Sequence, residues 1–312
     1  MTSINNQKVF NRYIFTASVI VLLCFPLLFI TLDNTYYPRS LIIFWNLGHL
    51  PLFICASYLF LNISKRFAIM PYEYQFLLII PLAMISGLLI EIIQSYSGRD
   101  FSLSDIYVDI LGASISIIWF SKTKIIIKKF SPIILKLSSI FAIFICLLPL
   151  VLNTMDELVA RIQFPVLADF RSPLELNRFG GNAQLKQENE YLLVRFGTEK
   201  YSGFGLKYFP RCWTGYQSVQ LDVNNPNREN VVLTCRIHDV LHNNSYDDRF
   251  NEKYNINPGD QEIIIDLGRV ETAPRSRTMD MCRIGALGCF TTYQKLPVEL
   301  IFRQIVLNKR HE

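Results

Sequence analysis

The sequence predicts a multi-pass α-helical membrane domain followed by an all-β sandwich. Long apolar runs fill residues 1–152, whereas short segments of alternating polarity, separated by turn residues, fill the rest of the chain. The charge divides at the same place, because residues 1–152 carry 11 Lys/Arg against 6 Asp/Glu and account for the net charge of +5. Residues 153–312 carry 20 of each sign and lack the basic excess typical of nucleic-acid binding. We therefore exclude nucleic acid as a partner and expect a lipid bilayer.

Five apolar stretches are long enough to cross a hydrocarbon core, which takes about 20 helical residues. The predicted spans are 13–32, 41–63, 75–95, 104–121 and 133–152. Lys8 and Arg12 precede the first span as they would precede a signal peptide. Its apolar run is too long for a signal peptide and it has no small-residue cleavage site, so we interpret it as a retained helix.

The loop charges predict the orientation of these helices. The loops on one side contain eight basic residues, namely Lys8, Arg12, Lys65, Arg66, Lys122, Lys124, Lys128 and Lys129. The loops on the opposite side contain two, Arg39 and Arg99. Because basic loops remain in the cytoplasm, we expect the N-terminus inside and residues 153–312 on the extracytoplasmic side.

Several polar residues lie inside the predicted spans. Asp105 and Asp109 are four residues apart and therefore share one face of the fourth helix. The third span ends with Glu91 and Gln94, and the second span contains His49. A charge at the centre of a bilayer costs about 3 kcal/mol, so such residues usually face a protein interior or a wet cavity.

The predicted topology places these side chains at one depth, near the outer ends of their helices, together with Arg99 from an outer loop. We interpret the set as a polar pocket that opens to the outside, with the members His49, Glu91, Gln94, Arg99, Asp105 and Asp109. The alternative is that these groups lie at the lipid–water interface or join helices together. Hydrogen bonds between membrane helices contribute only about 0.6 kcal/mol on average, which favours the pocket.

The same residues carry a resemblance to a known family. The spacing Glu91-x2-Gln94-x4-Arg99-x2-Ser102-x2-Asp105-x3-Asp109-x2-Gly112, preceded by His49, resembles the VanZ-like family of bacterial membrane proteins over residues 10–125. This chain has Asp109 where the family usually has Asn, and Asn46 where the family usually has a basic residue. The resemblance implies the bacterial cytoplasmic membrane, a role in the cell envelope and low-level resistance to glycopeptide antibiotics such as teicoplanin.

The sequence of residues 153–312 predicts a linker followed by a β domain. We expect a linker over residues 153–165 and a sandwich over residues 166–312, because short strands recur between turn signals. The clearest predicted strands are 191–196, 218–223, 231–238, 262–267 and 298–307.

Alternation along the third of these strands places Cys235 in the core and Arg236 and His238 on the opposite surface. The stretch 236–251 is dense in hydrogen-bonding side chains, and Trp213 and Tyr216 add aromatic rings. Rings beside planar polar groups are typical of sugar recognition. The predicted ligand-binding residues are Trp213, Tyr216, Arg236, His238, Asp239, His242 and Arg249. The alternative is that both rings belong to the core and that the polar stretch orders a loop.

This half also resembles the galactose-binding-like jelly-roll domains, which include carbohydrate-binding modules. The resemblance is carried by the Asp169-Phe170-Arg171 start, the aromatic-rich stretch 208–216 and the last predicted strand. It implies a jelly-roll topology and the binding of an envelope glycan or another envelope component.

Four cysteines lie in the predicted β domain, namely Cys212, Cys235, Cys282 and Cys289. They allow three pairings, among which the sequence does not choose, and the core position of Cys235 leads us to favour unpaired thiols. No Cys/His spacing typical of a metal site occurs in the sequence, so we expect neither a metal nor a cofactor.

We expect a non-enzymatic envelope protein and assign no catalytic residue. The alternative is an intramembrane enzyme that acts on a lipid-linked or phosphorylated envelope substrate. In that case the three intramembrane carboxylates would supply acid–base chemistry, and Arg99 would bind the anionic group. A third interpretation is a purely structural anchor for the outer domain.

Overall fold

The structure is a computed structural model that describes residues 2–32, 37–99, 101–123 and 132–309, with side chains from residue 11 onward. It divides into two compact units, Met1–Val151 and Leu152–Glu312. Of the basic loop residues used to predict the orientation, Lys124, Lys128 and Lys129 lie outside the described residues, as does the side chain of Lys8.

The first unit is helical, as expected. Its helices are α1 (Thr2–Leu27), α2 (Arg39–Asn46), α3 (His49–Leu61), α4 (Lys65–Ala68), α5 (Tyr72–Tyr96), α6 (Leu103–Phe120) and α7 (Pro132–Gln163). Within the described residues, four stretches are long and apolar enough to cross a membrane, namely Arg39–Leu61, Tyr72–Tyr96, Leu103–Phe120 and Pro132–Gln163. The apolar part of the first helix, Asn11–Leu27, is shorter. The apolar helices are therefore confirmed, and their insertion into a membrane stays a prediction.

The second predicted span is interrupted at Leu47 and Gly48. The reason is Pro51, which has no N–H to donate to the Leu47 carbonyl. The N–H of Leu50 bonds to that carbonyl instead, at 3.1 Å, in a tighter turn. The interruption makes His49 the first residue of α3.

Helix α7 continues beyond the predicted fifth span, and residues 153–163, interpreted above as a linker, are its last turns. The helix ends before Phe164 because Pro165 follows, and a residue that precedes proline is disfavoured in the helical conformation. Within the second unit, Asp156 of this helix binds the guanidinium of Arg178, with Nε–Oδ1 and Nη2–Oδ1 distances of 2.9 and 2.8 Å. Both side chains are buried.

Two glycines allow the helices of the first unit to pack closely. A Cβ at Gly112 of α6 would lie 2.9 Å from the Leu50 carbonyl oxygen and 3.0 Å from the Cβ of Phe53 in α3. A Cβ at Gly87 of α5 would collide with the Asp109 carboxylate of α6. These contacts set the spacing of the helices that carry the buried polar residues.

The second unit is a sandwich of two antiparallel sheets, as expected. The strands are β1 (Val166–Ala168), β2 (Phe179–Gly181), β3 (Gln184–Glu188), β4 (Tyr191–Phe196), β5 (Tyr201–Leu206), β6 (Ser218–Asn225), β7 (Val231–Asp239), β8 (Phe250–Ile256), β9 (Gly259–Asp266), β10 (Ile284–Thr292) and β11 (Val298–Asn308). Sheet I has the order β3-β4-β11-β6-β9, with β1 beside β11, and sheet II has the order β2-β5-β10-β7-β8. A short helix, α8 (Leu267–Glu271), follows β9. All five predicted strands fall on strands of the structure.

Alternate residues of the strands fill the core between the sheets, which includes the rings of Phe196, Phe204 and Phe302. Cys235 of β7 is also buried there, as predicted, directly opposite Cys289 of β10. The two sulfur atoms are 3.3 Å apart and the thiols are unpaired.

The expectation of unpaired cysteines is wrong for Cys212 and Cys282, which form a disulfide. The backbone brings them together, because the N–H of Trp213 donates to the carbonyl of Met281 at 2.8 Å. Residue spacing could not reveal this pairing, since the two cysteines are 70 residues apart.

Candidate functional site

The helical unit contains a buried histidine–aspartate pair. The Nδ1 of His49 lies 2.9 Å from the Oδ1 of Asp109, and neither side chain is exposed. The absence of a side chain at Gly87 leaves room for this carboxylate. Because a neutral imidazole that donates from Nδ1 carries its lone pair on Nε2, the pair presents Nε2 as an acceptor. This nitrogen and the Oδ2 of Asp109 are buried without hydrogen-bond partners among the described residues.

Glu91 of α5 lies beside this pair and is also fully buried. Its Oε2 accepts the backbone N–H of Ser102 at 2.7 Å, and Ser102 is the N-cap of α6. The N-terminus of a helix has free N–H groups, so this contact satisfies a donor that would otherwise be unpaired. The other carboxylate oxygen, Oε1, is buried and has no partner in the described part of the chain.

Asp105 completes the group. Its Oδ2 lies 3.9 Å from the Nε2 of His49 and 4.0 Å from Nη2 of Arg99. One ligand-type atom from each of His49, Glu91 and Asp105 lies within 4.8 Å of the others. The structure thus brings together four of the six predicted pocket residues, which we call the polar cluster: His49, Glu91, Asp105 and Asp109.

The other two predicted pocket residues brace the end of α1. Gln94 Nε2 and Arg99 Nη1 both donate to the carbonyl of Leu28, at 2.9 and 2.6 Å. Arg99 Nη2 also donates to Oδ1 of Asn46 at 2.8 Å. In the sequence, Asn46 stands out only because it departs from the VanZ-like pattern. In the structure, its side chain accepts a hydrogen bond from Arg99 and so helps to hold that guanidinium in place.

The sandwich carries a second candidate site, on the outer face of sheet II. Arg236 projects outward from β7, directly across from Asn251 of β8, and its side chain lies over Gly288 of β10. His238 is half-buried on the same face. The predicted alternation of β7 is confirmed, although Thr234 is only 7% exposed.

This face carries positive charge without an opposite partner. Among residues 132–309, neither Arg236 nor Arg249 forms an ion pair with a carboxylate. Desolvation and the nearby charge of Arg249 lower the pKa of Arg236. The pKa of His238 is also lowered, chiefly by burial, with additional effects from His242 and the two arginines.

A cleft of about 280 Å³ lies beside this face at the edge strand β8, and Tyr246, Arg249 and Asn251 line it. The ring of Tyr246 is 66% exposed, and the Arg249 guanidinium lies 5.6 Å from its centroid. Nε of Arg249 and Oδ1 of Asn251 are buried without partners within the described residues. We call Tyr246, Arg236, His238, Arg249 and Asn251 the sheet II surface. Sequence reasoning placed Tyr246 and Asn251 in the polar stretch but did not select them as ligand-binding residues.

Asp239 and His242 order a loop. Arg277 donates to both oxygens of Asp239, at 2.5 and 2.8 Å, and to both oxygens of Asp248, at 2.7 and 3.1 Å. Hydrogen bonds from Arg277 lower the pKa of Asp248 to about 2. Burial alone would raise the pKa of Asp239. Hydrogen bonds from Arg277 and from the N–H of Asp280 lower that pKa by more than burial raises it, so the net effect is a decrease. His242 Nδ1 lies 3.0 Å from the Asp248 carbonyl oxygen.

The interpretation of Trp213 as a stacking platform is corrected by its burial, since the residue is 1% exposed and lies in the core. Its Nε1 donates to the Pro210 carbonyl at 3.2 Å. Tyr216 packs edge-on against Phe164, with ring centroids 5.4 Å apart, and lines a different cleft beside α8. Neither ring belongs to the sheet II surface.

No protein-family model matches this chain, and no curated protein matches it. The chain is similar to a solved family 11 carbohydrate-binding module from Clostridium thermocellum in complex with a β-1,3-1,4-mixed-linked tetrasaccharide, at 15% identity and a TM-score of 0.37. That match covers 47% of this chain and 96% of the module. The agarase AgWH50C is similar at 15% identity and a TM-score of 0.37, over 47% of this chain and 26% of the agarase. PfGH50B is similar at 16% identity and a TM-score of 0.35, over 43% of this chain and 22% of its own length. The chain thus spans about a quarter of these two longer proteins.

Proposed function

We propose that this chain is a membrane-anchored protein of the bacterial cell envelope whose β-sandwich binds an anionic glycan. The observation that carries the proposal is the pair of guanidinium groups on the sheet II surface, those of Arg236 and Arg249, which have no carboxylate partner among the described residues. The Arg249 guanidinium also lies 5.6 Å from the centroid of the exposed Tyr246 ring. A sugar that bears a carboxylate or a phosphate supplies both missing interactions.

The chemistry of the sheet II surface favours a charged sugar over a neutral one. The planar guanidinium fork matches the geometry of a carboxylate or a phosphate and forms charge-assisted hydrogen bonds with it. The Tyr246 ring offers a flat apolar face of the kind that stacks on a sugar ring. Asn251 Oδ1, buried without a partner among the described residues, can accept a bond from a sugar hydroxyl.

The helical unit would anchor the protein in the bilayer. Large apolar side chains such as Leu77, Ile85 and Phe141 are exposed on its helices. Helices that expose apolar side chains in this way are stable in lipid, where their backbone groups are satisfied internally. The VanZ-like resemblance of the same helices supports a role in the cell envelope, and altered tolerance of teicoplanin is the phenotype that it implies.

Binding of purified polysaccharides to the full-length protein in detergent micelles tests the proposal. We expect wall teichoic acid or another acidic polysaccharide to bind, and a neutral glucan to bind at least about tenfold more weakly, because charge-assisted hydrogen bonds contribute roughly 1.5–3 kcal/mol each. The double variant Arg236→Gln/Arg249→Gln should lose about 10- to 100-fold in affinity for the acidic glycan.

The matched control is Arg195→Gln, which removes an exposed arginine from β4 of sheet I and should leave the affinity unchanged. The proposal fails if no envelope polysaccharide binds, or if the double variant and the control bind equally well.

A second candidate function is favoured by the His49–Asp109 hydrogen bond. A histidine oriented by a carboxylate is a common general base, so the polar cluster could act on a lipid-linked or phosphorylated substrate. The placement of Arg99 is less favourable to an anion clamp, because both of its terminal nitrogens already donate to protein oxygens. This function requires turnover, whereas glycan binding by the sandwich does not.

A further inference from the structure

We propose that His49, Glu91 and Asp105 bind one divalent transition-metal ion, and that Asp109 orients the histidine for this purpose. From the sequence we expect no metal, because the three side chains come from three helices and form no recognisable motif along the chain. This proposal is independent of glycan binding by the sandwich.

The positions of the three side chains fit one ion after side-chain rotation. One ligand-type atom of each lies within 4.8 Å of the others, and the His49 Nε2–Asp105 Oδ2 distance is 3.9 Å. Metal–ligand distances of about 2.0–2.2 Å place two ligands of a tetrahedral ion about 3.3–3.6 Å apart. The His49–Asp105 pair would therefore close by about half an ångström, and no pair by more than about 1.5 Å.

Two of the proposed ligand atoms have no other partner. His49 Nε2 and Glu91 Oε1 are buried without hydrogen bonds within the described residues, and both side chains are 0% exposed. Buried polar atoms are nearly always satisfied, so a pair of them directed into one cluster indicates a bound species. A metal ion would satisfy both atoms at once.

The remaining atoms of these ligands are held by the protein. Asp109 accepts from His49 Nδ1 and so directs the Nε2 lone pair into the cluster, and the N–H of Ser102 fixes the second oxygen of Glu91. Metal-binding histidines usually donate their other ring N–H to a carboxylate or a carbonyl in this way. The pattern is that of ligands oriented in advance.

The charge of the cluster also favours a dication. Three carboxylates, those of Glu91, Asp105 and Asp109, lie together. In the part of the chain that the structure describes, one ion pair joins them to a permanent cation, between Asp105 Oδ2 and Arg99 Nη2 at 4.0 Å. Unbalanced charge is costly inside a membrane domain. Metal binding requires deprotonated ligands, so one divalent ion would cancel the charge of −2 that three carboxylates and Arg99 leave.

The donor set selects the class of metal. Imidazole suits zinc, iron and nickel, whereas calcium and magnesium prefer oxygen ligands alone. Three protein ligands also leave a coordination position open for water or a substrate, as in catalytic zinc sites. We therefore assign Zn²⁺ or a similar first-row ion to this position.

The test measures zinc bound to the tag-free full-length protein in detergent micelles, after loading with Zn²⁺ and removal of free metal. The wild-type protein should retain about one zinc per chain, and the double variant Glu91→Gln/Asp105→Asn should retain less than about a tenth of that amount. The control is Glu73→Gln, which changes a carboxylate in the first turn of α5, at the opposite end from Glu91, and should keep the metal.

X-ray absorption at the zinc edge keeps the test decisive if the double variant fails to fold. The wild-type spectrum should show nitrogen and oxygen ligands at about 2.0–2.2 Å with an imidazole signature, whereas sulfur ligands at about 2.3 Å would place the ion on cysteines. No retained zinc, sulfur ligation, or full retention by a folded double variant would each overturn the proposal.

Discussion

Arg277 is the residue that holds the polar loops of the sandwich together. Its guanidinium contacts both oxygens of Asp239 and both oxygens of Asp248, and the two carboxylates are almost completely buried. Bonds to both carboxylates raise the pKa of the guanidinium. Removing one member of such a group leaves buried charge uncompensated, which is far more costly than losing a surface pair.

We predict that Arg277→Gln lowers the free energy of unfolding of the sandwich by about 3–5 kcal/mol at neutral pH. The pKa of Asp248 in the folded protein is about 2, below the usual carboxyl value, and that of Asp239 is also lowered. Their stabilisation is therefore complete above about pH 4 and is lost as the pH falls towards about 2. Arg277→Gln should therefore lose much less stability than the wild-type protein as the pH falls from about 4 to about 2.

Urea unfolding between pH 2 and 7, followed by Trp213 fluorescence with Trp45 and Trp119 replaced by Phe, measures both effects. Arg275→Gln is the control, because this side chain is 80% exposed and pairs with Asp247 at 3.4 Å. The free energy of unfolding of Arg275→Gln should differ from that of the wild-type protein by less than about 0.5 kcal/mol, as for most surface pairs. An equal loss in both variants would contradict the prediction.

Residues whose spacing is periodic could be predicted from the sequence. The four-residue interval between Asp105 and Asp109, together with the predicted topology, placed both near His49 and Glu91, and the structure brings these four together. Arg277 was not foreseen, because it lies 38 residues from Asp239, in an irregular segment between α8 and β10. Trp213 was misassigned because an aromatic residue in a turn gives no sign of the side to which its ring points.

Among the secondary-structure elements, α5 and α6 are the pair whose contact determines the geometry of the polar cluster. The contact depends on Gly87, since any Cβ there would meet the Asp109 carboxylate. The interruption of the second span depends on Pro51 and places His49 at the start of α3. Both features arise from residues that a hydropathy plot does not distinguish from their neighbours.

We predict that Gly87→Ala displaces Asp109 from His49 and lowers the free energy of unfolding of the helical unit by about 1–3 kcal/mol, the usual cost of overpacking. Thermal unfolding of the full-length protein in micelles measures the loss. The control is Ser86→Ala on the same helix, because the Ser86 hydroxyl bonds to carbonyls of α5 itself, those of Leu82 and Ala83. If the two variants melt at the same temperature, the Gly87–Asp109 contact does not limit how closely α5 and α6 pack, and the prediction is wrong.

The elements themselves were largely predictable, and their ends were not. Apolar length identified the helices, and alternation identified β4, β6, β7, β9 and β11. The extension of α7 to Gln163 was missed, since a polar amphipathic stretch such as 153–163 is equally typical of a linker. Asp156 of this extension pairs with the buried Arg178, a partner that spacing could not identify.

For the whole molecule, the uneven distribution of charge predicts a protein with two environments. The basic residues of Lys65–Ala68 belong to the side expected to be cytoplasmic, and the neutral sandwich to the other side. The disulfide between Cys212 and Cys282 supports this assignment, because disulfides persist in oxidising compartments and are rare in the cytosol.

We predict that protease added to spheroplasts digests the sandwich and leaves the helical unit in the membrane. Alkylation of free thiols before and after reduction should reveal one disulfide in the wild-type protein and none in Cys212→Ser. Digestion only in inverted vesicles would reverse the proposed orientation. A fully reduced protein would remove the support that the disulfide gives to it.

The reactivity of the thiols of Cys235 and Cys289, which face each other in the core, can report transient opening of the sandwich. Both side chains are buried between the sheets, so a thiol reagent reaches them only when the sheets part. If closing is faster than the reaction, the modification rate reports the population of the parted state and hence its free energy. A bound glycan would then slow that rate by the factor through which it favours the closed form. Two sulfur atoms on the inner side of sheet II would register the occupancy of its outer surface without any added label on that surface.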